Sequence, residues 1–220
     1  MQNLKKELKI VFNMDKKVVG GQERKIKKWY LVLIFGIFLI SLALAQDTNA
    51  GWTSGKFGLA INFDGINDYV NSNSNIPGSS AFSYSLWFKS SDGIFSADEY
   101  LFSQGTDDPS VYLESTDNKV KVMADGVDKL SSASTVNDTN WHHLEITADG
   151  TNIYLYLDGK KEAQIAYTGS SATATVKIAS NVTPASYFNG LIDDVRIYNY
   201  ARTLEQILID YNAGLSVHFK

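Results

Sequence analysis

The chain has 220 residues, 44% hydrophobic and 12% aromatic, enough for one domain with a real core plus an extension. It contains no cysteine, which excludes disulfides, thiolate zinc sites, cysteine nucleophiles and lipidated-cysteine anchors. The net charge of −4 is uneven: residues 1–28 carry nine Lys/Arg against three Asp/Glu, the remainder eleven against twenty-one. An acidic body repels phosphate backbones, so nucleic acid is not expected as a partner.

Residues 1–28 read as a basic leader held on the cytoplasmic side. Residues 29–45, WYLVLIFGIFLISLALA, are free of charge. As a helix this run reaches about 25 Å at ~1.5 Å per residue, slightly short of a hydrocarbon core of ~30 Å. It ends in Ala43-Leu44-Ala45, with small residues where a signal peptidase cuts. Two readings stay open. A cleaved signal peptide explains the small residues and the short run, with Met14 as an alternative start. An uncleaved anchor explains the long leader. Under either, the body lies outside the cell, secreted or at the cell surface. It meets a membrane only through residues 29–45, if they are retained.

Residues 46–55 are polar and small and read as a linker. Strand signals follow. Phe57, Leu59, Ile61 and Phe63 alternate at period two, and GINDYVNSNSN after them is turn-rich. SYSLWFKS, EYLFSQG, VYLES and KVKVMADG are further strands, each ended by turn residues. WHHLEITADG and TNIYLYLDGKK form the clearest pair, both containing Asp-Gly, a tight-turn signal. TVKIAS and FNGLIDDVRIYN are the last strands. In TLEQILIDYNAG the period becomes helical through Leu204, Ile207, Leu208 and Tyr211. Thr203 with Gln206 fits a capping box, and Gly214 a helix stop. About ten strands and one short helix predict an all-β, two-sheet sandwich over residues 56–215, with a tail at 216–220.

Four blocks carry a family resemblance: GLAINFDGINDYV, SYSLWFK, WHHLEITADGTNIYLYLDGKK and FNGLIDDVRIYNYARTLEQI. In this order they resemble the laminin-G-like, concanavalin-A-like jelly roll, in its bacterial and archaeal branch related to pentraxins. The resemblance implies two antiparallel sheets of six or seven strands, with the first and last strands adjacent. It also implies non-catalytic binding of glycans, proteins or other surface ligands, sometimes with calcium.

The adjacent His142 and His143 invite a metal reading. In a strand they face opposite sides, so His142 shares a face with Leu144 and Ile146, and His143 with Glu145 and Thr147. No cysteine or second histidine joins either, and a zinc site is disfavoured. Trp141 and His142 are expected to pack at the start of a core strand, with His143 and Glu145 an exposed pair. Glycan hydrolases of this architecture alternate carboxylates along one strand as E-x-D-x-x-E or E-x-D-x-E; no such string occurs here, and the chain is not expected to be an enzyme.

Calcium is the cofactor left open. It takes six to eight oxygens from loops. By the resemblance, the loop after LFS supplies an acidic pair, and Asp107 and Asp108 match that position. The pentraxin site also draws carboxylates from a loop before the last strand. Here that loop, ASNVTPAS, offers Asn181 and no acid, which leaves at most a single-ion site. A second set is Asp64, Asp68 and Asp193, placed by the resemblance on neighbouring first and last strands. Its competing reading is turn formation by Asp64, with Asp193 or Asp194 bound to Arg196 or a backbone amide. Aromatic faces that glycans could use include Trp52, with Trp87, Tyr112 and Tyr156 singled out. Asn137 and Asn181 head glycosylation sequons. The expected function is an exported binding module for glycans or another surface polymer. Alternatives are a surface protein adhering to other proteins and, disfavoured, a glycan-active enzyme.

Overall fold

The computed structural model describes residues 51–76, 81–105, 109–124, 127–169, 174–183 and 185–215. The leader and apolar run at residues 1–45 lie outside these, as do Asp107, Asp108 and the tail. Period-two alternation sends apolar side chains inward from successive strands. Among the described residues it yields β1 (Gly51–Ser54), β2 (Leu59–Asp64), β3 (Val70–Ile76), β4 (Ala81–Ser90), β5 (Glu99–Gln104), β6 (Ser110–Leu113) and β7 (Lys119–Ala124). The series continues through β8 (Val127–Thr135), β9 (His142–Asp149), β10 (Asn152–Leu157), β11 (Lys160–Ala166), β12 (Ala174–Ile178) and β13 (Asn189–Tyr198), and closes with one helix, α1 (Leu204–Leu215).

The strands form a seven-stranded sheet, β1-β2-β13-β4-β9-β10-β11, and a six-stranded sheet, β3-β12-β5-β6-β7-β8. All pairings are antiparallel, and β2 pairs with β13 as expected of the first and last strands. Phe82, Tyr84, Leu86 and Phe88 of β4 meet Leu144, Ile146 and Ala148 of β9 on one inner face. Val111, Leu113, Val120 and Val122 supply the core from the other sheet. Each such side chain contributes about 1.5–3 kcal/mol on burial.

Two sequence expectations differ from the structure. Gly51–Ser54, inside the stretch expected as linker, forms edge strand β1 against β2. Residues 71–75, read as turn-rich, belong to β3, where pairing with β12 supplies backbone bonds that the side chains do not advertise. The Asp-Gly of β10–β11 does make the tight turn: Asp158 (φ 51°) and Gly159 (φ 73°) both take the left-handed conformation of a type I′ hairpin.

α1 begins with the predicted reciprocal box. The Thr203 amide donates to Gln206 Oε1 at 3.0 Å, and the Gln206 amide donates to Thr203 Oγ1 at 3.4 Å. Its apolar stripe is narrower than the sequence suggested: Ile207 is buried, while Leu204 is exposed. Gly214 does not stop the helix, which runs to Leu215. Among the described residues no helix is long and apolar enough to cross a membrane.

Candidate functional site

The strand WHHLE holds the first concentration of polar chemistry. His142 faces the sandwich interior, 5.6 Å from the Phe88 ring. Its Nδ1 lies 2.8 Å from Asp158 and its Nε2 3.1 Å from Asp138. Two carboxylate partners require both ring nitrogens to donate, as in the imidazolium. Burial opposes that charge, but Asp158 and Asp138 outweigh it and raise the pKa above 6.5.

His143 and Glu145 correct the sequence expectation. They are not an exposed pair; both are at most 1% exposed. The outer face of β9 is roofed by α1 and the segment leading into it, which sequence periodicity could not place. His143 Nε2 lies 3.0 Å from Ser85 Oγ. Glu145 meets Arg202 at 3.4 Å, and Arg202 and Arg196 both reach Asp210 of α1, at 2.5 and 2.9 Å. Burial lowers the His143 pKa to about 4 and raises that of Glu145 to about 8, Arg202 opposing the latter. The Ser85–His143 contact has the elements of a nucleophile pair, but Ser85 is itself buried and presents no oxygen to a substrate.

A different polar and aromatic surface lies on the outer face of the six-stranded sheet. Tyr100 of β5 and Tyr112 of β6 are paired across the strands, with rings 5.0 Å apart and nearly parallel. The Tyr112 hydroxyl donates to Asp128 of β8 at 2.8 Å. Lys121 of β7 stands opposite Tyr112 and bridges Glu114 and Asp117 at 2.8 and 3.1 Å. Burial, reinforced by Asp128, pushes the Tyr112 pKa well up, so this phenol stays a donor. β5 ends at Gln104 and β6 starts at Ser110, so the expected calcium loop with Asp107 and Asp108 joins these two strands.

Of the three aromatic residues singled out for ligand contact, Trp87 is 1% exposed beneath α1, between Tyr211 and His143. It serves the helix interface and offers no face to solvent. Tyr156 is also buried, beside Glu145 on the roofed sheet. Tyr112 is buried too, and its stacking partner Tyr100 is half-buried. Tyr100 went unnoticed in the sequence because nothing in EYLFSQG marks which face it takes.

The acidic candidates are occupied by backbone. Asp64 Oδ1 accepts from the amides of Ile66 and Asn67, as a turn residue does. Asp68 accepts from the Asp64 amide at 3.3 Å. Asp193 accepts from Phe57 and Asp194, both at 2.7 Å, while Asp194 forms a two-point contact with Arg196. Asn181 Oδ1 accepts from Ala185 at 3.0 Å. Among the described residues no three histidine or acidic side chains converge as metal ligands. Asp64, Asp68 and Asp193 each give at least one oxygen to a backbone amide, the turn and amide roles that compete with calcium for this set.

This architecture defines a two-sheet antiparallel sandwich with one helix packed on its seven-stranded sheet. Residues 64–208 match the Concanavalin A-like lectin/glucanases superfamily, and the chain belongs to that family. A relative is the mouse (Mus musculus) Sushi, von Willebrand factor type A, EGF and pentraxin domain-containing protein 1, 26% identical over 166 residues. That match covers 69% of this chain but only 5% of the mouse protein. The fold is also that of domain 4 of AbnA, an extracellular arabinanase from Geobacillus stearothermophilus, solved with arabinotriose. The TM-score is 0.58 at 22% identity, over 74% of this chain and 80% of that one. The native heptameric SAP-like pentraxin of Limulus polyphemus gives 0.53 at 16% identity, over 67% and 79%. The binding domain of botulinum neurotoxin DC, solved with rat synaptotagmin II, gives 0.51 at 12%, over 75% and 51%.

Proposed function

We propose that this chain is an exported, non-catalytic binding module that holds a glycan on the outer face of its six-stranded sheet. The observation that carries the reading is the Tyr100–Tyr112 stack flanked by Asp128 and Lys121. A sugar ring buries its apolar face on an aromatic ring and places its hydroxyls against carboxylate and ammonium groups, the pairing this surface offers. The arabinotriose on the AbnA domain is consistent with a glycan ligand. Export rests on the apolar run at residues 29–45 with its Ala-Leu-Ala end. Calcium enters this reading through Asp107 and Asp108, which the sequence places between β5 and β6.

The test is affinity electrophoresis of the full chain through gels containing arabinans, glucans, mannans or uronic-acid polymers, with calcium and with a chelator. Retardation by at least one polymer, reduced about two- to tenfold in apparent affinity by Tyr100→Ala, is expected, since each stacked ring contributes on the order of 0.5–1.5 kcal/mol. Loss with chelator that Asp107→Asn reproduces supports the calcium reading. Full mobility in every polymer removes the glycan reading.

A further inference from the structure

The outer face of the six-stranded sheet carries a second aromatic pair. Val70 of β3 stands opposite Ile178 of β12 and lines the space between the sheets, so its chain neighbours Tyr69 and Asn71 turn outward. Lys177, between the core residues Val176 and Ile178, turns outward beside them. Its Nζ lies 5.5 Å from the centre of the Tyr69 ring and donates to the Val182 carbonyl at 2.5 Å. Tyr187 packs against the same ring, 6.4 Å away and tilted by 39°. Tyr69 is thus fixed by a cation and a second ring while staying 41% exposed. Burial in the core does not account for a tyrosine held in this way.

The two pairs lie on one path across the strands. β3, β12, β5 and β6 are consecutive neighbours in the sheet. Tyr69, at the start of β3, therefore lies three strand spacings from Tyr112 of β6, about 14 Å at ~4.8 Å per step. The pairs also stand level along the strands. Tyr69 precedes Val70, which faces Ile178, and the next residue of β12's continuation, Ala179, donates its amide to the carbonyl of Leu101, beside Tyr100. Residues 180–183 continue from there on the outer side. Ser103 Oγ donates to the Ser180 carbonyl at 2.8 Å, and Lys177 holds Val182. This segment brings Asn181 and the exposed Thr183 to the path between the pairs.

We infer that Tyr69 and Tyr187 form a second sugar subsite, so that the module holds an internal run of several units of a glycan chain and not a single terminal residue. The inference rests on the glycan reading of the Tyr100–Tyr112 stack. A path of about 14 Å is longer than one sugar ring, so a single residue cannot reach both pairs. Each aromatic pair takes the apolar face of one ring. The amide and hydroxyl groups of Asn71, Asn181 and Thr183 suit the hydroxyls of the units between them. Once one ring is seated, the second contact is made within the same chain, so two weak platforms give a joint affinity above that of either.

The test is calorimetric titration of the full chain, in neutral detergent with calcium, by arabinan, glucan and mannan oligosaccharides from disaccharide to octasaccharide. Affinity is expected to climb with length and to level off only once the chain spans both pairs. Tyr69→Ala is expected to lower the affinity for the octasaccharide about two- to tenfold, towards that of the disaccharide, as the loss of one stacked ring predicts. Tyr187→Leu, at a separate position, is expected to do the same, and an unchanged circular dichroism spectrum shows that each variant folds. Tyr100→Ala is expected to weaken binding at every length. Affinity that does not depend on length overturns the second subsite and leaves the first standing. So does an octasaccharide bound as tightly by Tyr69→Ala and Tyr187→Leu as by the wild type. A wild-type chain that binds no length removes the glycan reading, and the second subsite falls with it.

Discussion

Gly214 of α1 lies against the indole of Trp87 so closely that a Cβ at this position would stand 2.1 Å from Cζ2. The glycine is required by the approach of the helix to the sheet, since its own backbone is helical and not left-handed. Trp87 cannot yield, held between Tyr211 and His143. Gly214→Ala should therefore cost more than alanine's better helix propensity returns. Overpacking costs about 1–3 kcal/mol, which lowers the melting temperature of a domain this size by several degrees, at ~2–4 °C per kcal/mol. Differential scanning calorimetry measures this, and quenching of Trp87 fluorescence should change as the helix lifts.

The ion cluster beneath α1 gives a second prediction. Arg202 is the buried partner of both Asp210 and the fully enclosed Glu145. Arg202→Met should destabilise by about 1–3 kcal/mol at pH 7, because Glu145, its pKa raised to about 8, is largely protonated there and loses a buried hydrogen-bond partner while Asp210 keeps Arg196. Adding Glu145→Leu should recover more than half of that loss, since no buried carboxyl is then left without its partner and Asp210 stays paired with Arg196. Urea denaturation of the single and double variants measures the difference.

His143 predicts acid sensitivity. Its folded pKa, lowered by burial to about 4, lies below the ordinary value near 6.5. The stability it contributes is present above pH 6.5 and is lost as pH falls towards 4, because the unfolded chain takes up a proton that the folded chain refuses. The loss is on the order of 2–3 kcal/mol across that window. His143→Gln should remove this slope while keeping a polar contact for Ser85. Melting temperatures of both proteins from pH 7 to pH 4 should converge on the acid side; parallel curves would contradict the assignment.

Much of the fold was legible because the signals are local. Period-two alternation marked β4, β9 and β10, Asp158-Gly159 marked the hairpin, and Thr203 with Gln206 marked the start of α1. What was not legible depends on which face a neighbouring element covers. Alternation placed His143 and Glu145 together correctly but could not say that α1 would roof them. The same helix turns Trp87 from a candidate ligand surface into packing. Asp64 and Asp193 were readable as turn and amide partners because carboxylates beside glycine and arginine usually are. Tyr100 could not be chosen from the sequence, since its role depends on Tyr112 arriving opposite it from the next strand.

Asp158 ties the hairpin to the histidine strand. One oxygen accepts from the His143 amide at 2.9 Å, the other lies 2.8 Å from His142 Nδ1, and the residue itself holds the left-handed turn conformation at φ 51°. Asp158→Asn keeps the turn preference and an acceptor but removes the charge. The His142 pKa, raised above its ordinary value with Asp138 assisting, should fall in this variant. A raised histidine pKa contributes stability that is fully present below about pH 6.5 and is lost as pH rises through the folded value. The wild-type protein should therefore lose stability over that interval, and Asp158→Asn should lose less. Asp158→Ala adds turn strain of about 1–2 kcal/mol at every pH. Proton NMR titration of the His142 ring, alongside melting curves at pH 6 and pH 9, separates charge from strain. An unchanged His142 pKa in Asp158→Asn would mean that Asp138 alone sets it.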